Sequence, residues 1–180
     1  QKLTVYSADA LEFDFSALGK NLRVVGNLPY NISTPILFHL SGFAANITDL
    51  HFMLQKEVVA RMVAAHSTPD YGRLSVMLQC RFDMEQLFIV PPEAFQPAPK
   101  VESAIVRMTP LRQPPIATSQ EKLFAGIVSA AFSQRRKTLR NTLGDHLTPE
   151  DFAALEIDPR LRAENLSVAQ FIAITNRLSF

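Results

Sequence analysis

One cysteine, Cys80, is all that the 180 residues contain, so no disulfide can close within the chain and no cysteine pair can hold zinc. A reducing compartment, the cytoplasm, suits such a chain. The histidines, His39, His51, His66 and His146, are scattered without metal-ligand spacing, and no metal is expected. No run of about 18 apolar residues is present, which excludes a membrane-spanning helix. The stretch after Gln1 has neither the basic segment nor the long apolar one of a secretory signal. Glycine is sparse as well: Gly19, Gly26, Gly42, Gly72, Gly126 and Gly144 never come within three residues of one another, which leaves no glycine-rich loop to cradle a phosphate or cofactor.

What is present is an ordinary globular composition, 47% hydrophobic and 19% charged, with a net charge of +1 that conceals an asymmetry. Residues 1–110 hold nine Lys and Arg against ten Asp and Glu, whereas residues 111–180 hold nine against seven. Arg135, Arg136, Lys137 and Arg140 fall within six residues that contain no acid. Such a cluster fits a polyanionic partner, and it equally fits a solvated helix face.

Apolar spacing predicts a strand at 2–9 ending on Asp9, and a second at 22–26 whose continuous run suits burial on both faces. Thr34 followed by Pro35 reads as an N-cap opening a helix to about Phe43. A third strand at 49–55 runs into a helix in which Glu57 and Arg61 stand one turn apart, and a further helix is expected over 72–82. This alternation implies a doubly wound parallel sheet. Strands at 85–90 and 102–108 follow, parted by "PPEAFQPAPK", whose four prolines impose an extended loop, and they are expected as an edge hairpin. After the proline-rich stretch 109–119 the apolar period becomes 3.6. Helices are predicted at 120–132, around 135–143, at 148–156 with Thr148 as cap, and at 167–178 with Ser167 as cap. The expected domains are therefore 1–110, α/β, a linker at 111–118, and 119–180, all helical.

The motif that carries chemistry is Asn27-Leu28-Pro29-Tyr30 at the carboxyl end of the second predicted strand, where open α/β sheets bind ligands. Methylation of an exocyclic amine on a nucleobase calls for these groups. The amine lone pair is delocalised into the ring, and two oxygen acceptors, the Asn27 side chain and the Leu28 carbonyl, would hold its hydrogens out of plane. Pro29 would brace that carbonyl and Tyr30 would offer a flat stacking surface. The amine becomes cationic as the methyl arrives, so the acceptors favour the transition state over the ground state. Phe95 in the proline-rich loop is either a core anchor or the other side of a clamp on a base turned out of its helix. Asp9 could accept hydrogen bonds from a nucleoside or merely close a turn.

With "NLPYNISTPILFHL", "HFMLQKEVVARMV", "YGRLSV", "FQPAPKVESAIVR", "FSQRRKTLRNTL" and "IDPRLRAENLSVAQF", essentially the whole chain resembles the KsgA-type bacterial small-subunit ribosomal RNA adenine dimethyltransferases. Their relatives include the eukaryotic Dim enzymes and the Erm methyltransferases. The resemblance implies a Rossmann-like class I methyltransferase sheet followed by a helical domain, S-adenosylmethionine as methyl donor, and dimethylation at N6 of two adjacent adenosines near the 3′ end of 16S rRNA. It implies an immature 30S particle as substrate. Asp9 would meet the adenine of the donor, and Asn27 would lie between donor and target amine. Leu28 would supply the backbone acceptor, Tyr30 would stack on the target base and Phe95 would cover it. Arg135, Arg136, Lys137 and Arg140 match the basic segment directed towards rRNA.

The family's glycine-rich loop and the acidic residue after its second strand have no counterpart here. The chain is therefore expected to be a fragment lacking the N-terminal third, impaired in binding the donor and prone to self-association, of a parent that is itself monomeric. Two alternatives are a non-catalytic RNA-binding or assembly module and an Erm-type enzyme acting on 23S rRNA.

Overall fold

The structure, a computed structural model, describes residues 3–29 and 31–179. Contacts divide the chain into two compact units, Gln1–Lys56 with Glu85–Pro110, and Glu57–Met84 with Leu111–Phe180. The segment 57–84 thus groups with the C-terminal helices, although it precedes the 111–118 stretch in the sequence.

A four-stranded sheet, in the order β1-β2-β4-β3, is built from β1 (Leu22–Asn27), β2 (Ile47–Gln55), β3 (Phe82–Val90) and β4 (Ser103–Pro110). β1 and β2 are parallel, joined through α1 (Ser33–Ser41) as the alternation predicts. β4 is antiparallel to β2, so the sheet is mixed and not parallel throughout. In the β2–β4 pair the partners Leu50↔Met108, Phe52↔Val106 and Leu54↔Ala104 share one face and are fully buried.

Three sequence expectations for this unit are corrected. Residues 3–9 form no strand; Leu3 and Val5 are 73% and 81% exposed and no sheet neighbour pairs with them, and alternation alone cannot make a strand without a ladder to join. β1 is not covered on both faces, because burial alternates along it and Val25 is 79% exposed. α1 begins two residues early, at Ser33 with Ile32 at the cap and no side-chain capping bond, which leaves Thr34 and Pro35 inside the first turn. Gly26 has a steric reason: a Cβ there would stand 3.2 Å from Leu28 Cδ2 and 3.5 Å from the Phe52 ring.

The second unit contains α2 (Lys56–Val63, beyond its first residue), α3 (Arg73–Gln79), α4 (Glu121–Ala131), α5 (Leu139–Thr142), α6 (Pro149–Ala154) and α7 (Val168–Arg177). Phe124, Ile127, Val128 and Ala131 recur at helical spacing on α4 and enter a core shared with Leu139, Phe152, Phe171 and Ile174. Phe132 stacks on Phe171 at 5.8 Å. Gln79 ties α3 to the end of α2 by donating to the carbonyls of Met62 and Ala64. Thr148 and Ser167 cap α6 and α7 as predicted, each in a reciprocal capping box. The helix expected around 135–143 shortens to α5, and residues 133–137 are turns in which the adjacent basic side chains project to solvent.

Candidate functional site

β1 delivers the motif residues to the carboxyl end of the parallel pair. Asn27 is the last residue of the strand and stands opposite Met53, and the Leu28 amide prolongs the ladder by donating to the Met53 carbonyl at 3.2 Å. Pro29 turns the chain, its carbonyl accepting from the Ile32 amide at 3.2 Å, which in turn starts α1. No donor among the described residues takes up the Leu28 carbonyl. Tyr30 lies outside the described residues.

Phe95 comes to the same place from the β3–β4 connection. A short turn, Pro92–Ala94, ends with the Phe95 amide donating to the Pro92 carbonyl at 3.1 Å, and Phe95 itself is extended and half-buried. Asn27, Leu28 and Pro29 on one side, and Phe95, Pro97 and Pro99 on the other, enclose a cleft of about 320 Å³ closed by Ser103. That is the small end of ligand pockets, which run from about 300 to 1,000 Å³. Pro97, Pro99 and Ser103 escaped the reading of single residues. Ser103 is 2% exposed and faces Gln55 across the β2–β4 pair, a position that only strand pairing reveals.

Asp9 stands apart. Its Oδ1 accepts from the Leu11 amide at 2.8 Å and its carbonyl accepts from Glu12, so it closes a turn at the surface and does not line the cleft.

In the second unit, Arg135, Arg136 and Lys137 lie exposed in the turn after α4, and Arg140 is exposed on α5. The segment is pinned by backbone bonds, Leu139 N–H to the Leu161 carbonyl at 2.8 Å and Arg140 N–H to the Pro159 carbonyl at 2.9 Å. Among the described residues none of the four basic side chains enters an ion pair, in contrast to Arg81, Arg160 and Arg177. Arg135 also borders a cleft of about 630 Å³ with Arg61, Arg73, Tyr71 and the acids Glu57, Asp70 and Glu164. The Cys80 thiol is buried and pushed up to about 11 by desolvation, an inert core position. Among the described residues no three His, Cys, Asp or Glu side chains gather as a metal site, and no helix is long and apolar enough to cross a membrane.

What the arrangement can do is hold a flat, amine-bearing ring between an amide and carbonyl edge and an aromatic wall, while a separate basic surface meets a polyanion. The chain is similar to the ribosomal RNA small subunit methyltransferase A of Nitrosospira multiformis, 74% identical over 176 residues that make up 98% of this chain and 68% of that protein. It is also similar to the protein of the same name from Nitrosomonas europaea, at 64% identity over 98% of this chain and 69% of the relative. Among solved structures it resembles a dimethyladenosine transferase from Plasmodium falciparum, with a TM-score of 0.80 and 23% identity, covering 94% of this chain and 70% of that one. The 23S rRNA methyltransferase ErmE shares the fold, with a TM-score of 0.72 at 23% identity over 96% of this chain and 70% of the other. The family model described as ribosomal RNA adenine dimethylase matches residues 1–179, and the chain belongs to that family.

Proposed function

We propose that the chain supplies the target-base cleft and the RNA-contacting helices of a small-subunit ribosomal RNA adenine N6-dimethyltransferase. Its substrate is two adjacent adenosines near the 3′ end of 16S rRNA within an immature 30S particle, met in the cytoplasm by a monomeric enzyme. The observation that carries this reading is the meeting of Asn27, Leu28 and Phe95 round one cleft beyond the carboxyl end of β1. Identity separates the substrates where the fold does not: 74% and 64% to small-subunit methyltransferases stand against 23% to a 23S enzyme.

Members of the family take their methyl group from S-adenosylmethionine. Of the residues assigned to that donor, Asn27 rims the cleft, while Asp9 uses Oδ1 to hold its own turn and stands outside the lining. These two do not form a cradle for a nucleoside and a methionine, so the chain's own residues account for the amine side of the transfer. The Asn27 side-chain oxygen and the Leu28 carbonyl accept the two amine hydrogens and stabilise the positive charge that develops on nitrogen. Hydrogen bonds to charged groups, worth about 1.5–3 kcal/mol, strengthen at that moment. Phe95 covers the base and Tyr30 stacks on it, each such contact worth roughly 1–3 kcal/mol. Deprotonation follows to water, in keeping with a cleft that holds no His, Asp, Glu or Lys among its described lining residues. Residues 1–110 supply this chemistry, 111–118 link, and 119–180 hold the RNA through Arg135, Arg136, Lys137 and Arg140.

Replacing Asn27 by Ala is expected to lower transfer to undermodified 30S particles by about 10²-fold or more while particle binding stays near normal. Filter-binding and single-turnover methylation of the enzyme carrying this chain measure the two separately. Wild-type transfer by Asn27→Ala would overturn the mechanism.

A further inference from the structure

Both walls of the cleft are held by the end of one strand. Met53 of β2 accepts from the Leu28 amide and so sets the acceptor edge. Two residues on, Gln55 pairs with Ser103, and the next residue, Lys56, takes hold of Glu102 twice: its amide donates to the Glu102 carbonyl at 3.0 Å and its Nζ meets Glu102 Oε2 at 2.6 Å. Glu102 is where the loop bearing Phe95, Pro97 and Pro99 returns to the sheet. Among the described residues no backbone hydrogen bond ties residues 96–101, so the loop hangs between the Phe95–Pro92 turn and Glu102. The Lys56 and Glu102 side chains are 43% and 45% exposed, and an ion pair so wet adds little to global stability. Its effect is local, since prolines stiffen the loop and transmit the position of its anchor to its aromatic wall.

We propose that Lys56 and Glu102 are positioning residues whose ion pair sets the separation of Phe95 from the Asn27–Leu28 edge, and hence the fraction of time the cleft stands at the width of a stacked base. This rests on the reading that the cleft receives the target adenine. Neither side chain lines the cleft, so the pair acts through the loop that it anchors and the Phe95 wall that this loop carries.

The test places 4-fluorophenylalanine at position 95 in wild type, Lys56→Met, Glu102→Gln and the exchanged pair Lys56→Glu with Glu102→Lys. Wild type should give one narrow fluorine resonance, each single variant a broadened or split one, and the exchanged pair should recover the narrow line. In single-turnover transfer the single variants should lose roughly two- to fivefold in kcat with KM for the 30S particle and Tm unchanged. That loss should shrink as salt screens the wild-type pair. Single variants with wild-type line shape and kcat would overturn the proposal, as would a loss that the exchanged pair fails to restore. The fluorine spectrum needs no catalysis, so a failure of the clamp is distinguishable from a failure of the cleft assignment, which Asn27→Ala reports.

Discussion

Tyr71 shows what a single residue can store. Its ring packs edge-on to Phe132 at 6.3 Å and to His66 at 6.5 Å, it is 5% exposed, and its hydroxyl has no hydrogen-bond partner among the described residues. Burial accordingly pushes the phenol's pKa well above its ordinary value. A buried polar atom without a partner costs about 1–3 kcal/mol, so Tyr71→Phe should leave the fold as stable or up to about 1 kcal/mol more stable. Urea unfolding would decide, and a loss beyond that size would mean the hydroxyl is bonded. At this scale the sequence was readable where chemistry is local. Asn27, Leu28 and Phe95 could be singled out because an amide, a proline-braced carbonyl and an aromatic on a stiff loop each need a reason. Asp9 could be read two ways, since a carboxylate two residues before a free amide closes a turn as readily as it binds a ligand, and the hydrogen bond to Leu11 shows it closing the turn.

Elements were legible where their ends carry their own signals. α6 has six residues, too few to persist on its own, and it starts on a box in which Thr148 Oγ1 accepts from the Asp151 amide at 3.2 Å and Asp151 Oδ2 accepts from the Thr148 amide at 3.0 Å. Thr148→Ala should therefore cost about 1 kcal/mol by chemical denaturation, and Thr148→Ser should restore most of it. An unchanged midpoint in the Ala variant would deny the cap any role. Thr34 offered the same signal without the outcome, because the turn that follows Pro29 already supplies the first helical bonds from Ile32. The strand expected at residues 2–9 failed for a different reason: a helix satisfies its own backbone, whereas a strand needs a neighbour, and none pairs with residues 3–9.

Across the whole molecule, stability should fall in acid. Asp49 is held below the ordinary carboxylate value of 3.8 by its hydrogen bonds to Arg23, Asp151 by the Thr148 amide and then Arg177, and Asp158 by Arg160. Each binds its proton less tightly folded than unfolded. Their contribution is therefore complete above the unfolded value and is lost as pH falls through it towards the lower folded values. Thermal unfolding should be flat from neutrality to about pH 5 and decline below about pH 4. Asp49→Asn should flatten that decline, and an unaltered acid profile would show that the Arg23 pairing does not contribute.

The grouping of residues 57–84 with 111–180 belongs to this scale too. It depends on meetings such as the Ser67 amide with the Glu164 carbonyl at 2.7 Å, between residues far apart in the chain. By itself the sequence determined the alternation of β1, α1 and β2, the caps of α6 and α7, and the presence of an amide, a proline-braced carbonyl, an aromatic on a stiff loop and a basic segment, because each is written in a few adjacent residues. Only the tertiary structure decided that β4 runs against β2, that Val25 faces solvent, that Ser103 closes the cleft and that Lys56 anchors its far wall. Those outcomes depend on which distant strands pair and which surfaces lose water, and no local pattern encodes either.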